Sequence, residues 1–318
     1  MAELHKVFID GQAGTTGLEI AQRLSNRDDV RVLEIDPSQR KSPDARRQLM
    51  TQADVTVLCL PDDAARQAVA LAGDHCRILD ASSAHRVSDG WSYGCPEMRP
   101  EQRQAIATAQ RVSNPGCYPQ GFILLVKPLI EAGLLAPEKT LSLFGLSGYS
   151  GGGRQLIEQY QAFSDVERDS WNTRPYSLAL QHKHVPEMHQ YSGTRCRPLF
   201  VPSVGNFYRG MLIQIPLFIS ELRDGTDIKA LHDTLQRRYQ TERFIEVLPP
   251  NSTQLLDDGY LNATATNHSN NMQLMAFGSD EQVVLMARYD NLVKGAAGAA
   301  IQNLNLMLGV EESTGLLQ

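Results

Sequence analysis

Val7-Phe8-Ile9-Asp10-Gly11-Gln12-Ala13-Gly14-Thr15-Thr16-Gly17 is a short apolar strand signal that runs into three glycines spaced three apart, followed by an amphipathic stretch through Leu24. Glycines between a strand and a helix permit a tight turn and let backbone N–H groups approach a pyrophosphate at the helix N-terminus. The spacing is not the usual GxGxxG, so its placement carries the argument. Further strand signals follow at Val30 to Ile35, at Val55 to Leu60 before the helix-opening Pro61-Asp62-Asp63, and at Cys76 to Leu79 before Asp80-Ala81-Ser82-Ser83. Strands alternating with helical patterns predict βαβ units and a parallel sheet.

Beyond about Leu134 the texture changes. Ser142 to Leu146, Pro198 to Val204, Met211 to Ile219 and Phe244 to Leu248 read as strands separated by variable loops. Met272 to Phe277 and Val283 to Tyr289 flank a polar Gly278–Gln282 segment, as in an antiparallel hairpin with a longer loop. Asp227 to Tyr239 and Lys294 to Leu308 are helical patterns. The expectation is an α/β protein with a nucleotide-binding N-terminal domain and an α+β second domain.

The 318 residues suffice for one large or two ordinary domains, and 42% apolar with 21% charged residues excludes disordered and fibrous classes. The longest apolar run, Phe122 to Ile130, carries Lys127 and falls short of the ~20 residues of a membrane span. The opening MAELHKVFID lacks an apolar signal region, so a cytoplasmic location is expected and no membrane contact. A net charge of −6 argues against nucleic acid as the main partner. Five cysteines without a CxxC pair read as reduced thiols rather than disulfides or a zinc site.

Asp36 closes the second strand about 20 residues past the glycine loop, where an acidic residue normally takes a ribose 2′-OH. Ser38, Arg40 and Lys41 follow at once, and a hydroxyl with two cations suits a 2′-phosphate. The balance favours NADP over NAD, with Asp36 repelling that phosphate unless it turns away.

Ser113-Asn114-Pro115-Gly116-Cys117-Tyr118-Pro119-Gln120 opens an apolar helix expected over Gly121 to Leu134. Cys117 thereby falls near a helix N-terminus, where the dipole and exposed N–H groups favour a thiolate and an attacked carbonyl's oxyanion. Cys59 and Cys76 sit in apolar strands and read as inert, whereas Cys95 and Cys196 have no partner motif. His182-Lys183-His184-Val185-Pro186-Glu187 reads as a helix entry in which Glu187 can orient the His184 imidazole, and no third ligand suggests a metal. A cysteine with a positioned histidine makes an activated nucleophile. Gly151-Gly152-Gly153-Arg154 permits a nest of N–H donors with a cation beside it, suited to an anionic group.

GQAGTTGLEI at 11–20, SNPGCYPQG at 113–121, GYSGGGR at 148–154, HKHVPE at 182–187 and NLVKGAAGAAIQN at 291–303 together resemble the short type of N-acetyl-γ-glutamyl-phosphate reductase. That family is related to aspartate-semialdehyde dehydrogenase and, more distantly, to glyceraldehyde-3-phosphate dehydrogenase. The resemblance spans nearly the whole chain, and SNPGCYP and HKHVPE are its specific parts. It implies a Rossmann-type NADP-binding domain over 1–117, completed by a C-terminal helix over 291–318. A substrate and dimerisation domain of the semialdehyde dehydrogenase type would occupy 118–290.

By the same resemblance Cys117 matches the nucleophile and His184 the acid/base, with Glu187 supporting it. NADP would be held by Gly11, Gly14, Thr15, Thr16, Gly17, Ser38, Arg40, Lys41, Ser82, Ser83 and Asn291. The acyl-phosphate substrate would meet Ser113, Asn114, Arg154 and His182. The activity implied is NADPH-dependent reduction of N-acetylglutamyl 5-phosphate to the semialdehyde through a cysteine thioester, in arginine synthesis, by a homo-oligomer of two or four chains. The alternatives are another semialdehyde dehydrogenase, such as the aspartate enzyme, and a catalytically silent nucleotide-binding regulator.

Overall fold

The computed structural model describes residues 4–317 and divides into two units. One comprises Met1–Pro115, described from residue 4, with Ala296–Leu317; the other is Gly116–Gly295. Residues 1–3 and 318, the ends of the expected first domain, lie outside the described residues. Cys117 and Asn291, expected on the first domain's side, fall in the second unit. No described helix is long and apolar enough to cross a membrane.

The first unit is a parallel sheet built from β1 (His5–Asp10), β2 (Val30–Leu33), β3 (Val55–Leu58), β4 (Ile78–Asp80), β5 (Ser92–Tyr93) and β6 (Arg111–Ser113), in the order β2-β1-β3-β4-β6-β5. Helices α1 (Thr15–Ser25), α2 (Pro43–Gln52), α3 (Asp62–Ala72) and α4 (Gln102–Thr108) connect the strands. Alternating side chains serve two cores, as a parallel sheet covered on both faces requires. Val7, Ile9, Val55 and Val57 pack with Ile20 and Leu24 of α1 and with Ile301, Leu304 and Met307 of the C-terminal helix Gly298–Leu308. Phe8, Leu58 and Ile78 pack with Met50 of α2 and with Ala65 and Ala68 of α3. The last segment of the chain thus completes the first core. The two-residue β5 and three-residue β6 gave no strand signal in the sequence, being too short for a period to register.

The second unit begins with α5 (Cys117–Glu131), four residues before its expected start. Seven strands form a mixed sheet: β7 (Ser142–Gly148), β8 (Thr173–Pro175), β9 (Leu199–Gly205), β10 (Met211–Phe218), β11 (Ile245–Val247), β14 (Met272–Gly278) and β15 (Gln282–Tyr289). Their order is β11-β14-β15-β10-β7-β9-β8, and β12 (Leu256–Asp257) and β13 (Tyr260–Leu261) pair separately. Helices α6 (Gly153–Ala162), α7 (Asp165–Ser170), α8 (Val185–Ser192) and α9 (Ile228–Tyr239) fill the connections. The Asp227 side chain caps α9 at the Ala230 N–H, 2.7 Å away. Helix α5 packs with α8 and α9 and against β10 and β15. Pro128 inside α5 has no N–H for the Leu124 carbonyl one turn back, and the Tyr239 hydroxyl of α9 donates to that carbonyl at 2.7 Å. A potential helix defect thereby becomes a tie between two helices. Phe144, Leu199 and Phe218 of the sheet remain exposed.

Candidate active site

In the first unit the glycine loop has a steric logic. Gly11 has φ +93°, and a Cβ there would lie 2.3 Å from the Cys59 carbonyl oxygen. A Cβ on Gly17 would lie 2.6 Å from the Gly11 oxygen. Only glycine fits either position. Gly14 is different: a Cβ would make ordinary contacts at 3.6 and 3.8 Å. Gly14 is the N-cap of α1 and offers no side-chain cap. The first turn, Thr15, Thr16 and Gly17, therefore opens an 11-residue helix whose N–H groups suit a phosphate. This cradle fits a dinucleotide.

The turn after β2 gives Asp36 a partner. Its Oδ1 accepts the Ser38 N–H at 2.8 Å and the Ser38 hydroxyl at 2.6 Å, and these hydrogen bonds, the hydroxyl's first, hold the carboxyl below its usual range. The hydroxyl hydrogen of Ser38 is thus engaged, and Arg40 and Lys41 are the exposed cations of the turn. Ser82 and Ser83 are also engaged locally. The Ser82 hydroxyl donates to buried Asp80 at 2.7 Å, and Asp80 lies 2.6 Å from His85 Nδ1. The Ser83 hydroxyl donates to Asp62 at 2.8 Å. Both serines shape their loop through these bonds.

Ser113 and Asn114, expected to touch substrate, are buried. The Asn114 Nδ2 donates to the Ala296 carbonyl at 3.1 Å, and its Oδ1 accepts from Asn303 of the C-terminal helix at 3.0 Å. Asn114 ties the end of β6 to the chain's last helix.

The second unit carries the thiol. Gly116 caps α5 with extended backbone (φ −68°, ψ 155°), and Cys117 is the first helical residue. The Gly116 N–H donates to Glu187 Oε2 at 2.9 Å. His184 is the N-cap of α8, and its N–H donates to His182 Nδ1 at 3.2 Å. The imidazoles of His182 and His184 are 4.7 Å apart, and the Tyr118 ring lies 6.0 and 5.9 Å from them. The Tyr176 ring is 5.8 Å from His182, with its hydroxyl 3.3 Å from that of Tyr118. Burial pushes the Tyr176 hydroxyl up to about 12, with the Cys117 charge adding to it. Burial also drives Tyr118 well above its ordinary value, with the charges of Tyr176 and Cys117 contributing. Cys117, His182, His184 and Glu187 thus share one neighbourhood, walled by two neutral tyrosines.

Glu187 also reaches the cysteine's side of the cluster. Its carboxylate accepts from the peptide preceding Cys117, so it braces the turn that presents the thiol. Arg154 turns along its own helix to Glu158 at 2.6 Å and is largely exposed. Asn291 accepts the Gly210 N–H at 2.8 Å and donates to the Ser150 hydroxyl at 3.0 Å, which holds the glycine-rich loop before α6. Neither residue is drawn to Cys117 by these bonds. The other cysteines differ in kind: Cys76 and Cys95 are buried, and Cys196 lies 3.5 Å from the Glu138 carbonyl. Desolvation, with the charges of Asp80 and Asp10, pushes Cys59 up to about 12, leaving it protonated at neutral pH.

Two further residues contact Cys117: Tyr289, which carried no distinct signal in the sequence, and Gly295 of the 291–303 segment. The Tyr289 hydroxyl donates to the Cys117 carbonyl at 2.6 Å. Gly295 abuts Cys117, since a Cβ there would lie 3.0 Å from the Cys117 Cβ.

Residues 6–106 match the NAD-binding domain of semialdehyde dehydrogenases, and residues 117–291 match the dimerisation domain of the same enzymes. Solved structures share the fold. Aspartate semialdehyde dehydrogenase II of Vibrio cholerae, complexed with ASA, superposes with a TM-score of 0.70 at 13% identity, covering 97% of this chain and 99% of that one. The Candida albicans aspartate semialdehyde dehydrogenase with NADP gives 0.62 at 15% identity, covering 96% and 99%. Sequence relatives are nearer. N-acetyl-gamma-glutamyl-phosphate reductase 2 of Nostoc sp. is 49% identical over 98% of this chain and 99% of the relative. The N-acetyl-gamma-glutamyl-phosphate reductase of Brucella ovis is 45% identical over 96% and 99%. The chain belongs to the semialdehyde dehydrogenase family and, within it, to the N-acetyl-gamma-glutamyl-phosphate reductases.

Proposed function

We propose that the protein reduces N-acetyl-L-glutamyl 5-phosphate to N-acetyl-L-glutamate 5-semialdehyde with NADPH, releasing phosphate, as a step of arginine synthesis in the cytoplasm. The observation that carries the reading is the joining of Cys117 to the histidine helix through the Gly116–Glu187 hydrogen bond. Cys117 Sγ attacks the acyl carbon, the bond to the phosphate oxygen breaks, and a thioester remains on the enzyme. The α5 N-terminus favours both the attacking thiolate and the negative oxygen that forms. Reduced dinucleotide, when bound, supplies hydride to the acyl carbon. His184 then protonates the resulting oxygen and takes the proton back as the carbon–sulfur bond breaks, freeing the semialdehyde and the thiolate.

A dinucleotide is supported by the glycine cradle, and NADP in particular by Arg40 and Lys41 in the turn after β2. Asp36 is folded onto Ser38, so the two cations are the groups we assign to the 2′-phosphate. The exposed apolar sheet residues Phe144, Leu199 and Phe218 support burial between subunits of a homo-oligomer. The test is the reverse reaction: N-acetylglutamate semialdehyde should reduce NADP only when phosphate is present. Preference for aspartate semialdehyde would instead assign the chain to the aspartate enzyme. Dinucleotide binding without turnover of either aldehyde would indicate a regulator.

A further inference from the structure

We propose that Tyr289 is a positioning residue for the nucleophile, acting through the main chain of the first turn of α5; this rests on Cys117 being that nucleophile. In an α-helix the N–H of a residue donates to the carbonyl four residues before it. For Cys117 and Gly121, the first such pair to open α5 at its cysteine, a side chain joins in as well. The Tyr289 hydroxyl donates to the Cys117 carbonyl at 2.6 Å and accepts the Gly121 N–H at 3.3 Å.

The surroundings are built to admit this hydroxyl. A Cβ on Gly121 would lie 2.9 Å from Tyr289 Oη, 3.0 Å from its Cε1 and 2.8 Å from Ile213 Cγ1. Glycine at 121 therefore makes the opening through which the ring reaches the helix. Tyr289 is fully buried, and its backbone is paired with Met211 and Met272 on the two flanking strands, so the ring is anchored by the sheet.

The next residue acts on the other side of the cysteine. Asp290 Oδ1 accepts the N–H groups of Leu292 and Val293 at 2.8 and 3.0 Å, and its carbonyl accepts the Gly295 N–H at 2.9 Å. That last bond spans five residues and leads directly into the π-helical segment Val293–Ala297. The turn brings Gly295 against the Cys117 Cβ. The end of β15 thus holds the nucleophile at its carbonyl and at its side-chain root, and the hydroxyl is the part of this grip that a single substitution removes.

Tyr289→Phe keeps the ring and the helical bond between Gly121 and Cys117 while removing the hydroxyl, so the variant is expected to fold while the Cys117 turn loses its anchor. Misplacing a reacting group by about 1 Å costs about 10²-fold. The expected result is a fall in kcat of about tenfold or more, with KM for N-acetylglutamate semialdehyde and the affinity for NADP within about twofold. Alkylation of Cys117 by iodoacetamide should slow as well. Gly121→Ala, which displaces the same hydroxyl without removing it, should give the same split between kcat and KM. Wild-type kcat and alkylation rate in Tyr289→Phe would overturn the proposal, whatever the change in melting temperature. Cys117→Ser separates the two levels: turnover in that variant would refute the nucleophile itself, whereas an inert Cys117→Ser beside a fully active Tyr289→Phe refutes the role of Tyr289 alone.

Discussion

Glu187 Oε2 accepts the Gly116 N–H at 2.9 Å, so the peptide preceding Cys117 is fastened to the helix that His184 caps. The carboxylate is buried and also lies in the first turn of α8, where negative charge is favoured. The cysteine turn and the histidine turn are therefore set by one side chain.

Removing that acceptor should leave the Gly116 N–H unsatisfied. Glu187→Ala is expected to lower the unfolding free energy by about 1–3 kcal/mol, the penalty for an orphaned buried donor. Glu187→Gln keeps a carbonyl acceptor and should lose less. Urea unfolding of the three proteins checks this; equal stability for all of them would mean that the bond contributes nothing.

Catalysis should separate the residues of the thiol cluster. Cys117→Ser should abolish reduction while NADPH still binds, because the glycine loop belongs to the other unit. His184→Asn should lower kcat by about 10²-fold or more, the usual scale for a general acid/base. His182→Asn should cost less, since His182 Nδ1 receives the His184 N–H and braces the backbone there. Steady-state kinetics of the reverse reaction measures all three, and a larger loss at His182 would move the proton transfer to that residue.

The three glycines of the first loop are not equivalent. Gly11→Ala forces a Cβ to 2.3 Å from a carbonyl oxygen at a positive φ, so it should destabilise the first unit and abolish dinucleotide binding. Gly14→Ala meets ordinary contacts and should keep the fold. Thermal melting with a fluorescence titration of NADPH distinguishes the two, and equal damage from both substitutions would contradict the steric account.

How far the sequence was legible follows from this contrast. The glycine loop, the cysteine turn and the His184 helix entry are local: turn chemistry and helix starts act over a few residues, and the chain displays them directly. The engagement of Asn114 by Asn303, or of Asn291 by Ser150 and Gly210, joins segments far apart in the chain. A polar residue near a motif looks the same in sequence whether it faces a ligand or holds a loop. Glu187 illustrates the limit, because its spacing from His184 gives no hint that the fold also brings the Gly116 N–H to it. Tyr289 was hidden for a related reason, as an aromatic residue at a strand end carries no mark of the helix it reaches.

The cofactor turn yields a selective outcome. Replacing Arg40 and Lys41 with Ala should weaken NADPH much more than NADH, since only the former carries the 2′-phosphate. Ser38→Ala should matter less, its hydroxyl hydrogen being held by Asp36. Binding titrations with both dinucleotides test this, and equal losses for the two would refute the assignment of the cations.

Cys59 gives the protein an alkaline limb that can be traced to one thiol. Its burial raises it from an ordinary 9.0 to about 12, so the native state keeps a proton that the unfolded chain releases. Stability from this source is complete below pH 9 and is lost as pH rises through 9 toward 12. The raised tyrosines Tyr118, Tyr160, Tyr176 and Tyr191 begin from an ordinary 10.0, so the thiol is the first of these groups to contribute as pH climbs past 9, and the Cys59→Ala comparison separates its share. Melting temperature should fall over that climb in the wild type and stay flatter in Cys59→Ala. Over the same range iodoacetamide should label Cys117 well before Cys59, because a protonated, desolvated thiol is a poor nucleophile. Mass spectrometry of the labelled protein reads that order, and prior modification of Cys59 would show its sulfur to be neither enclosed nor held neutral.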